Sequence, residues 1–528
     1  MFVPLSVLEF RDRAAMYFGD KVGVIDGDRE FTYRSFAERT HRLANALQGI
    51  GVAAGDRVSF ITYNTHQLLE AYFGVLEAGA VLNPINIRLA PHEIAFILDH
   101  AASRVVVFHR DFLPLIEQIA PALARRPTIV VLEGEAAGLV EHEYEALLAG
   151  GSVEPLHPAI DENALAELFY TSGTTGMPKG VAMTHRELYL HSLVAELGLG
   201  FDQDDVVLHV VPLFHVNGWG TPHFVTMIGG RHVMLRRFDP GALMELVERH
   251  RVTRLLAVPT IFNAVLNHRD RPSRDLTSLR QVIIGGAPAS PSLVASLEKE
   301  LGVQAIVGYG LTETSPIITL AQPRSFLTER EPGERRQERQ SMTGWAIPGV
   351  VVRVVDGDGR DVRSDGAQIG EIVVRSNLVM DDYYRDPDAT ASAIRDGWLH
   401  TGDMATVDEA GYVLIKDRSK DIIISGGENI SSVEIEVAIG AHPAVLECAV
   451  IAAPDEKRGE VPIAIVVLKP DQTASVADLR AFCRDRLAPF KVPKRIEFRD
   501  ALPKGGTGKI LKAELREPFW AGRASRVN

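Results

Sequence analysis

Residues 170 to 180 read Tyr170-Thr171-Ser172-Gly173-Thr174-Thr175-Gly176-Met177-Pro178-Lys179-Gly180, with three glycines, four Ser/Thr hydroxyls and one lysine. Such a loop can turn backbone N–H groups and hydroxyl donors onto a polyphosphate, with the ammonium as a fixed counter-charge. It is not a P-loop, because Gly180 rather than Ser or Thr follows Lys179 and the glycine spacing differs. The competing reading is an ordinary connection between two strand-like runs. Four more segments hold comparable groups: Gly308-Tyr309-Gly310-Leu311-Thr312-Glu313-Thr314-Ser315-Pro316; Gly397-Trp398-Leu399-His400-Thr401-Gly402-Asp403; Asp417-Arg418-Ser419-Lys420-Asp421, running into Ser425-Gly426-Gly427-Glu428-Asn429; and Pro503-Lys504-Gly505-Gly506-Thr507-Gly508-Lys509.

The elements that must position these groups alternate. Residues 56–63 read as a strand, followed by the helical spacing Leu68, Leu69, Tyr72, Val75, Leu76; residues 105–108 and 128–132 are short β-branched runs. Thr184 and Glu187 form a capping box opening a helix through Leu197, with Gly198 expected just past its end. Strands at 206–211, 254–258 and 281–284 alternate with helices at 241–250 and 260–267, and Ser290-Pro291 opens another helix. This alternation predicts an α/β fold of covered, mainly parallel sheets. The charged segment 323–340 is expected to be a solvated loop. After it the period changes to two at 350–355 and 371–375, which predicts an antiparallel sheet or barrel. A compact α+β unit begins near residue 421, with helices at 433–439 and 476–487 and strands at 447–452 and 463–468.

A chain of 528 residues needs more than one core, and a formal charge of -13 argues against a nucleic-acid surface. An acidic chain that handles polyphosphate must do so with a few placed cations. Cys448 and Cys483 cannot build a disulfide framework and read as reduced, buried, small apolar residues. The charged amino terminus is no signal peptide, no apolar run reaches membrane-span length, and the ending Arg-Val-Asn is no peroxisomal address, so a cytoplasmic location is expected.

In order and spacing, the five segments resemble the adenylate-forming superfamily of acyl-CoA synthetases, firefly luciferase and peptide-synthetase adenylation domains. The likeness covers roughly residues 30 to 515, and the runs GYGLTETSP, SGGENISS and FHVNGW are most similar to the fatty acyl-CoA ligase branch. The resemblance implies an N-terminal adenylation domain over 1–419, with α/β subdomains over about 1–340 and a small β-barrel over about 341–419. A smaller mobile α+β domain over 420–528 follows, hinged at Lys420. It also implies chemistry. A carboxylate attacks the α-phosphorus of ATP and expels pyrophosphate, and CoA then displaces AMP. Converging negative oxygens require backbone donors, Mg²⁺ and cations.

By the resemblance, Thr171, Ser172, Gly173, Thr174, Thr175 and Gly176 hold the β- and γ-phosphates with Lys179 nearby. Glu313 binds Mg²⁺, and Thr312 touches the α-phosphate. Tyr309 stacks on adenine, within Gly308-Tyr309-Gly310 and beside Gly285, Gly286 and Ala287. Asp403 accepts the ribose hydroxyls and Arg418 faces ribose or phosphate. Lys509, on a glycine-flanked loop, bridges carboxylate and α-phosphate when the small domain closes. Rotation about Lys420 then withdraws Lys509 and brings Ser425-Gly426-Gly427 to the pantetheine tunnel. Taken singly, Asp403 also reads as a turn residue and Lys509 as a surface lysine.

His215, Val216, Asn217 and Trp219 resemble the segment bordering the acyl carboxylate and tunnel, with Gly285 beside them. The competing readings are a satisfied core histidine and a core tryptophan. A Trp219 that swings aside admits long chains; a fixed one floors a short pocket. Arg458 replaces an aromatic that many relatives carry, which leaves the CoA-nucleotide contacts open. The resemblance thus implies an ATP- and Mg²⁺-dependent acid–CoA ligase for a medium- or long-chain fatty acid. The alternatives are a ligase for a short-chain, sulfur-containing or aryl carboxylate, or an enzyme loading a carrier protein. Its partners are then the acid, ATP and CoA, without nucleic acid or a membrane span, and a homodimer is compatible with the sequence.

Overall fold

In the computed structural model, which describes residues 1–171, 177–329, 333–419, 421–425, 428–455, 457–505 and 508–520, the alternating runs fold into two large sheets covered by helices. The helix His66–Glu77 shows why: the Thr65 hydroxyl caps it, accepting from the Leu68 N–H at 3.3 Å, and all of its residues are buried.

The first sheet has seven strands in the order His142–Glu143, Thr128–Leu132, Ser103–His109, Arg57–Ile61, Val81–Pro84, Leu165–Thr171, Lys179–Thr184. Neighbours are parallel except the last pair, an antiparallel hairpin that sets Thr171 opposite Lys179 across the glycine-rich segment. The second sheet has nine strands. Its parallel centre runs Gln304–Gly310, Gln281–Ile284, Arg254–Ala257, Val206–His209, Arg231–Met234, Val22–Asp26. Parallel strands need crossovers, and the crossover helices cover the faces. Gly285-Gly286, Val258 and the Thr312–Thr314 turn all follow carboxyl ends of these strands, the edge where open α/β sheets receive ligands.

The period-two region forms a five-stranded antiparallel half-barrel sheet: Val350–Val355, Gly370–Ser376, Ile394–Arg395, Trp398–Val407 and Val413–Arg418. The smaller C-terminal unit carries its own sheet of Ile423–Ser425, Glu428–Ile430, Val445–Asp455, Gly459–Leu468 and Arg495–Phe498, closed by its own apolar cluster around Ile435, Val450, Val466 and Leu479. No helix among the described residues is long and apolar enough to cross a membrane.

Three expectations are corrected. The capping-box helix runs His185–Leu199 and ends on Gly200, whose φ of 65° is left-handed; Gly198 lies inside it, where a Cβ would come within 2.9 Å of Leu320 Cδ1. Close packing, not a helix end, explains that glycine. The charged segment is not a solvated loop but contains helices Ser325–Thr328 and Gly333–Ser341. Arg339 is 5% exposed there, donating to Asp408 Oδ2 and Glu409 Oε1 at 2.7 Å each. Finally, Cys483 is buried but Cys448 is only partly so, its Sγ donating to the Glu436 carbonyl at 3.4 Å; both are free thiols.

Candidate active site

The strand Gln304–Gly310 delivers Tyr309 to the sheet's carboxyl edge, and the half-barrel delivers two charges to meet it. Antiparallel register sets Asp403 directly opposite Arg418. Tyr309 Oη donates to Asp403 Oδ2 at 2.7 Å, and Arg418 Nε lies 3.0 Å from Asp403 Oδ1. The Asp403 charge raises the Arg418 guanidinium above its ordinary value, against burial. Burial, then Asp403, keeps the Tyr309 phenol protonated as a donor. Each Asp403 oxygen retains acceptor capacity for a diol. Gly310 is demanded by the turn beyond Tyr309, because a Cβ there would fall 1.5 Å from the Pro316 carbonyl oxygen.

Glu313 stands in the short turn Thr312–Thr314, with Thr312 buried beside it. Tyr383 Oη donates to Glu313 Oε1 at 2.8 Å, and the Met380 N–H donates to the Glu313 carbonyl at 3.0 Å. The Lys179 ammonium sits 5.1 Å from the centroid of the same Tyr383 ring. Lys179, which restarts the hairpin opposite Thr171, therefore shares the Tyr383 side chain with Glu313, whereas Ser172, Gly173, Thr174, Thr175 and Gly176 lie outside the described residues. The donor set around Glu313 suits Mg²⁺. Among the described residues no hydrogen bond or ion pair takes its Oε2, and no cluster of three or more His, Cys, Asp or Glu forms a protein-only cage. That ion is usually held by one or two carboxylates and substrate phosphates while it keeps several waters.

Lys509 arrives from the C-terminal unit. Its loop is docked on the N-terminal part: Arg88 Nη1 donates to the Gly505 carbonyl at 3.1 Å, Thr260 Oγ1 to the Gly508 carbonyl at 3.5 Å, and a Cβ on Gly508 would lie 3.3 Å from Val258 Cγ2. The side chain keeps solvent access along the cleft while protein crowds it. That crowding, then the Arg418 guanidinium, lowers its ammonium to about 8, with Asp403 opposing. Burial, then Lys509, lowers His215 to about 4, so its imidazole is neutral near pH 7. Lys509, Arg418, Asp403 and His215 thus share one electrostatic neighbourhood.

The acyl segment has an unusual backbone. Val216, Asn217, Gly218, Trp219 and Gly220 have φ of 34°, 42°, 54°, 62° and 84°, a left-handed run that only Gly adopts freely. Burial over-determines it. Asn217 Nδ2 donates to Glu167 Oε2 at 3.4 Å, Glu167 pairs with His223 at 2.7 Å, and a Cβ on Gly220 would meet the His191 ring at 2.5 Å. Trp219, 8% exposed, lies with its ring 3.0 Å from the place of a Cβ on Gly285 and 3.5 Å from one on Gly286. Trp219 is thus a core residue, one of the two sequence readings, and its ring lies over Gly285 and Gly286. Val216 and Asn217 are buried beneath, and Ala287 follows the glycines at the surface of the cleft.

Ser425 ends the strand Ile423–Ser425 and is buried, with no contact to the groups above among the described residues; Gly426, Gly427 and Lys420 lie outside them. On either side of Lys420, Asp417 Oδ2 accepts from the Ser432 N–H at 2.6 Å, and Lys512 Nζ donates to Ser432 Oγ at 2.6 Å and pairs with Glu436 at 2.7 Å. Tyr383 is the contributor that sequence reasoning missed. Its one signal was a tyrosine pair in an otherwise acidic, turn-like run, Asp381-Asp382-Tyr383-Tyr384-Arg385-Asp386-Pro387.

Compared with known proteins, residues 10–384 match the AMP-binding enzyme family and residues 434–509 its C-terminal domain. The chain is 39% identical to the 3-methylmercaptopropionyl-CoA ligase of Ruegeria pomeroyi, over 98% of each chain. It is 40% identical to the long-chain-fatty-acid–CoA ligase of Thermus thermophilus, over 98% of this chain and 96% of that one. Its fold is similar to that of an anthranilate CoA ligase solved with anthranoyl-AMP, with a TM-score of 0.90, 29% identity and 98% of each chain covered.

Proposed function

The chain belongs to the AMP-binding enzyme family and is an AMP-forming acyl-CoA synthetase; from that premise we propose how its residues divide the two half-reactions and which acid they take. In the first, a carboxylate oxygen bonds to the α-phosphorus of ATP as the bond to pyrophosphate breaks. Lys509 and Thr312 hold the α-phosphate and the incoming carboxylate, while Lys179 and the loop Thr171 to Gly176 hold the outer phosphates. Asp403, Tyr309 and Arg418 orient the nucleoside, with Gly308, Gly310, Gly286 and Ala287 giving the adenine a close-fitting backbone. Glu313 would hold Mg²⁺, which supplies charge neutralisation on the phosphate oxygens. Neutral His215 lines the carboxylate position without adding a competing charge. In the second half-reaction the CoA thiol gives up its proton to solvent as its sulfur bonds to the acyl carbon, and AMP leaves, carrying the bonding electrons to its phosphate oxygen. We assign rotation about Lys420, with the domain boundary there, to the exchange of Lys509 for Ser425-Gly426-Gly427.

The observation that carries the proposal is the docking of the Lys509 loop on Arg88, Val258 and Thr260, over the Tyr309–Asp403–Arg418 group. For the acid, Trp219 buried over Gly285 and Gly286 favours a short to medium carboxylate; a long fatty acid requires the indole to leave that position. Free CoA as acceptor and a cytoplasmic location are part of the same proposal.

The test is AMP release over straight-chain acids from two to sixteen carbons, 3-methylmercaptopropionate and aryl acids, each with and without CoA. CoA-dependent AMP release that peaks at short or medium length is expected. A peak at sixteen carbons overturns the acid assignment, and CoA-independent turnover that requires a carrier protein overturns the acceptor.

A further inference from the structure

The strap of residues 380–384 joins the two anionic-ligand elements of the site by both main chain and side chain. At one end the Met380 N–H holds the Glu313 carbonyl at 3.0 Å; at the other the Tyr384 N–H holds the Gly180 carbonyl at 2.8 Å, and Tyr383 bridges to Val181. Between these anchors Tyr383 faces both charges at once, its hydroxyl 2.8 Å from Glu313 Oε1 and its ring 5.1 Å from the Lys179 ammonium. The Tyr383 N–H is itself fixed by Thr390 Oγ1 at 2.9 Å, on the helix Pro387–Ala393.

We propose that Tyr383 is a positioning residue for metal–nucleotide binding: its hydroxyl occupies Glu313 Oε1 and aims Oε2 at the cation, while its ring seats Lys179 against the phosphates. The inference rests on Glu313 holding Mg²⁺. A carboxylate anchored only through its chain turns freely about its last torsion, so either oxygen, or neither, faces the ligand. A donor to one oxygen removes that freedom, and such outer partners typically set metal affinity by about 10- to 100-fold. A phenol suits the task, because it donates to a carboxylate and stays protonated at neutral pH. Its ring can face Lys179 at the same time, since the negative π-face attracts an ammonium.

Tyr383→Phe deletes the hydroxyl and keeps the ring. Calorimetry with a non-hydrolysable ATP analogue, with and without Mg²⁺, gives the gain in affinity due to the metal; AMP binding, which needs no metal, is the control. We expect Tyr383→Phe to cut the Mg²⁺-dependent gain about tenfold, with AMP affinity and the KM for the acid unchanged. Glu313→Gln should abolish the gain, and Tyr383→Phe should add nothing in that background. A wild-type gain in Tyr383→Phe, with the gain lost in Glu313→Gln, overturns the role of Tyr383 and leaves Glu313 in place. A wild-type gain in both variants overturns the Glu313 assignment on which it rests. Equal weakening of AMP and of the metal–analogue complex in Tyr383→Phe shows a general structural role and also overturns the inference.

Discussion

Replacing Lys509 by alanine takes away the cation that, in the proposed reaction, reaches the nucleotide from the small domain. Arg418, a cation in the same electrostatic neighbourhood, is ion-paired with Asp403 at 3.0 Å and does not replace it. A unit charge about 4 Å from a phosphate oxygen is worth about 4 kcal/mol at an effective dielectric of 20. If about 3 kcal/mol of this is expressed at the transition state, adenylation slows by more than two orders of magnitude. Crowding lowers the ammonium to about 8, and in the proposed role the protonated form acts. The rate of the first half-reaction should therefore be flat below neutrality and fall about tenfold per pH unit once the pH passes the lysine's pKa. The break belongs to kcat/KM, which reports the free enzyme; bound triphosphate favours the charged form and moves the break in kcat upward. ATP–pyrophosphate exchange measures this half-reaction, and thioester formation from preformed acyl-AMP measures the other. Lys509→Ala should lose the exchange and retain the thioester step, and Lys509→Arg should flatten the alkaline limb. Normal exchange in Lys509→Ala, or an alkaline limb unchanged in Lys509→Arg, refutes the assignment.

Trp219→Ala should open the space over Gly285 and Gly286. Two further methylenes buried there are worth about 1.6 kcal/mol, so kcat/KM for acids two carbons longer should rise about tenfold in a chain-length series. Arg339→Ala removes the closer of two guanidinia on buried Asp408, Arg335 remaining at 3.7 Å, and should cost about 1.5–3 kcal/mol of unfolding free energy in urea titration, with little change in KM for ATP. Lys420→Pro should spare pyrophosphate exchange and suppress thioester formation; equal loss of both contradicts a hinge there.

Local rules made much of the fold legible. The capping box at Thr184 and Glu187, Ser290 before Pro291 and the β-branched run at 281–284 each depend on neighbours a few residues apart, and each forms as expected. Where the partner is distant, local reading fails. Arg339 looked solvated because Asp408, which buries it, lies 69 positions onward. Gly198 looked like a helix end because its reason, Leu320, comes from another element. Tyr383 passed unnoticed for the same cause: its chemistry lies in Glu313, 70 positions back, and in a hairpin farther still. The motif residues were legible because their types are chemically demanding. Their mutual geometry, such as Tyr309 on Asp403, comes from sheet register that no single segment encodes.

Among the described residues, the docked loop is held through its peptide carbonyls at Gly505 and Gly508. A grip on peptide carbonyls asks little of the side chains a visiting loop carries, except at Gly508, where a Cβ would press on Val258. Docking of the arm thus rests on an arginine, a threonine and a valine at positions 88, 260 and 258 of the large domain and on glycine at 508 of the arm. Substrate choice can then diverge in the large domain while the lysine-bearing arm is inherited unaltered.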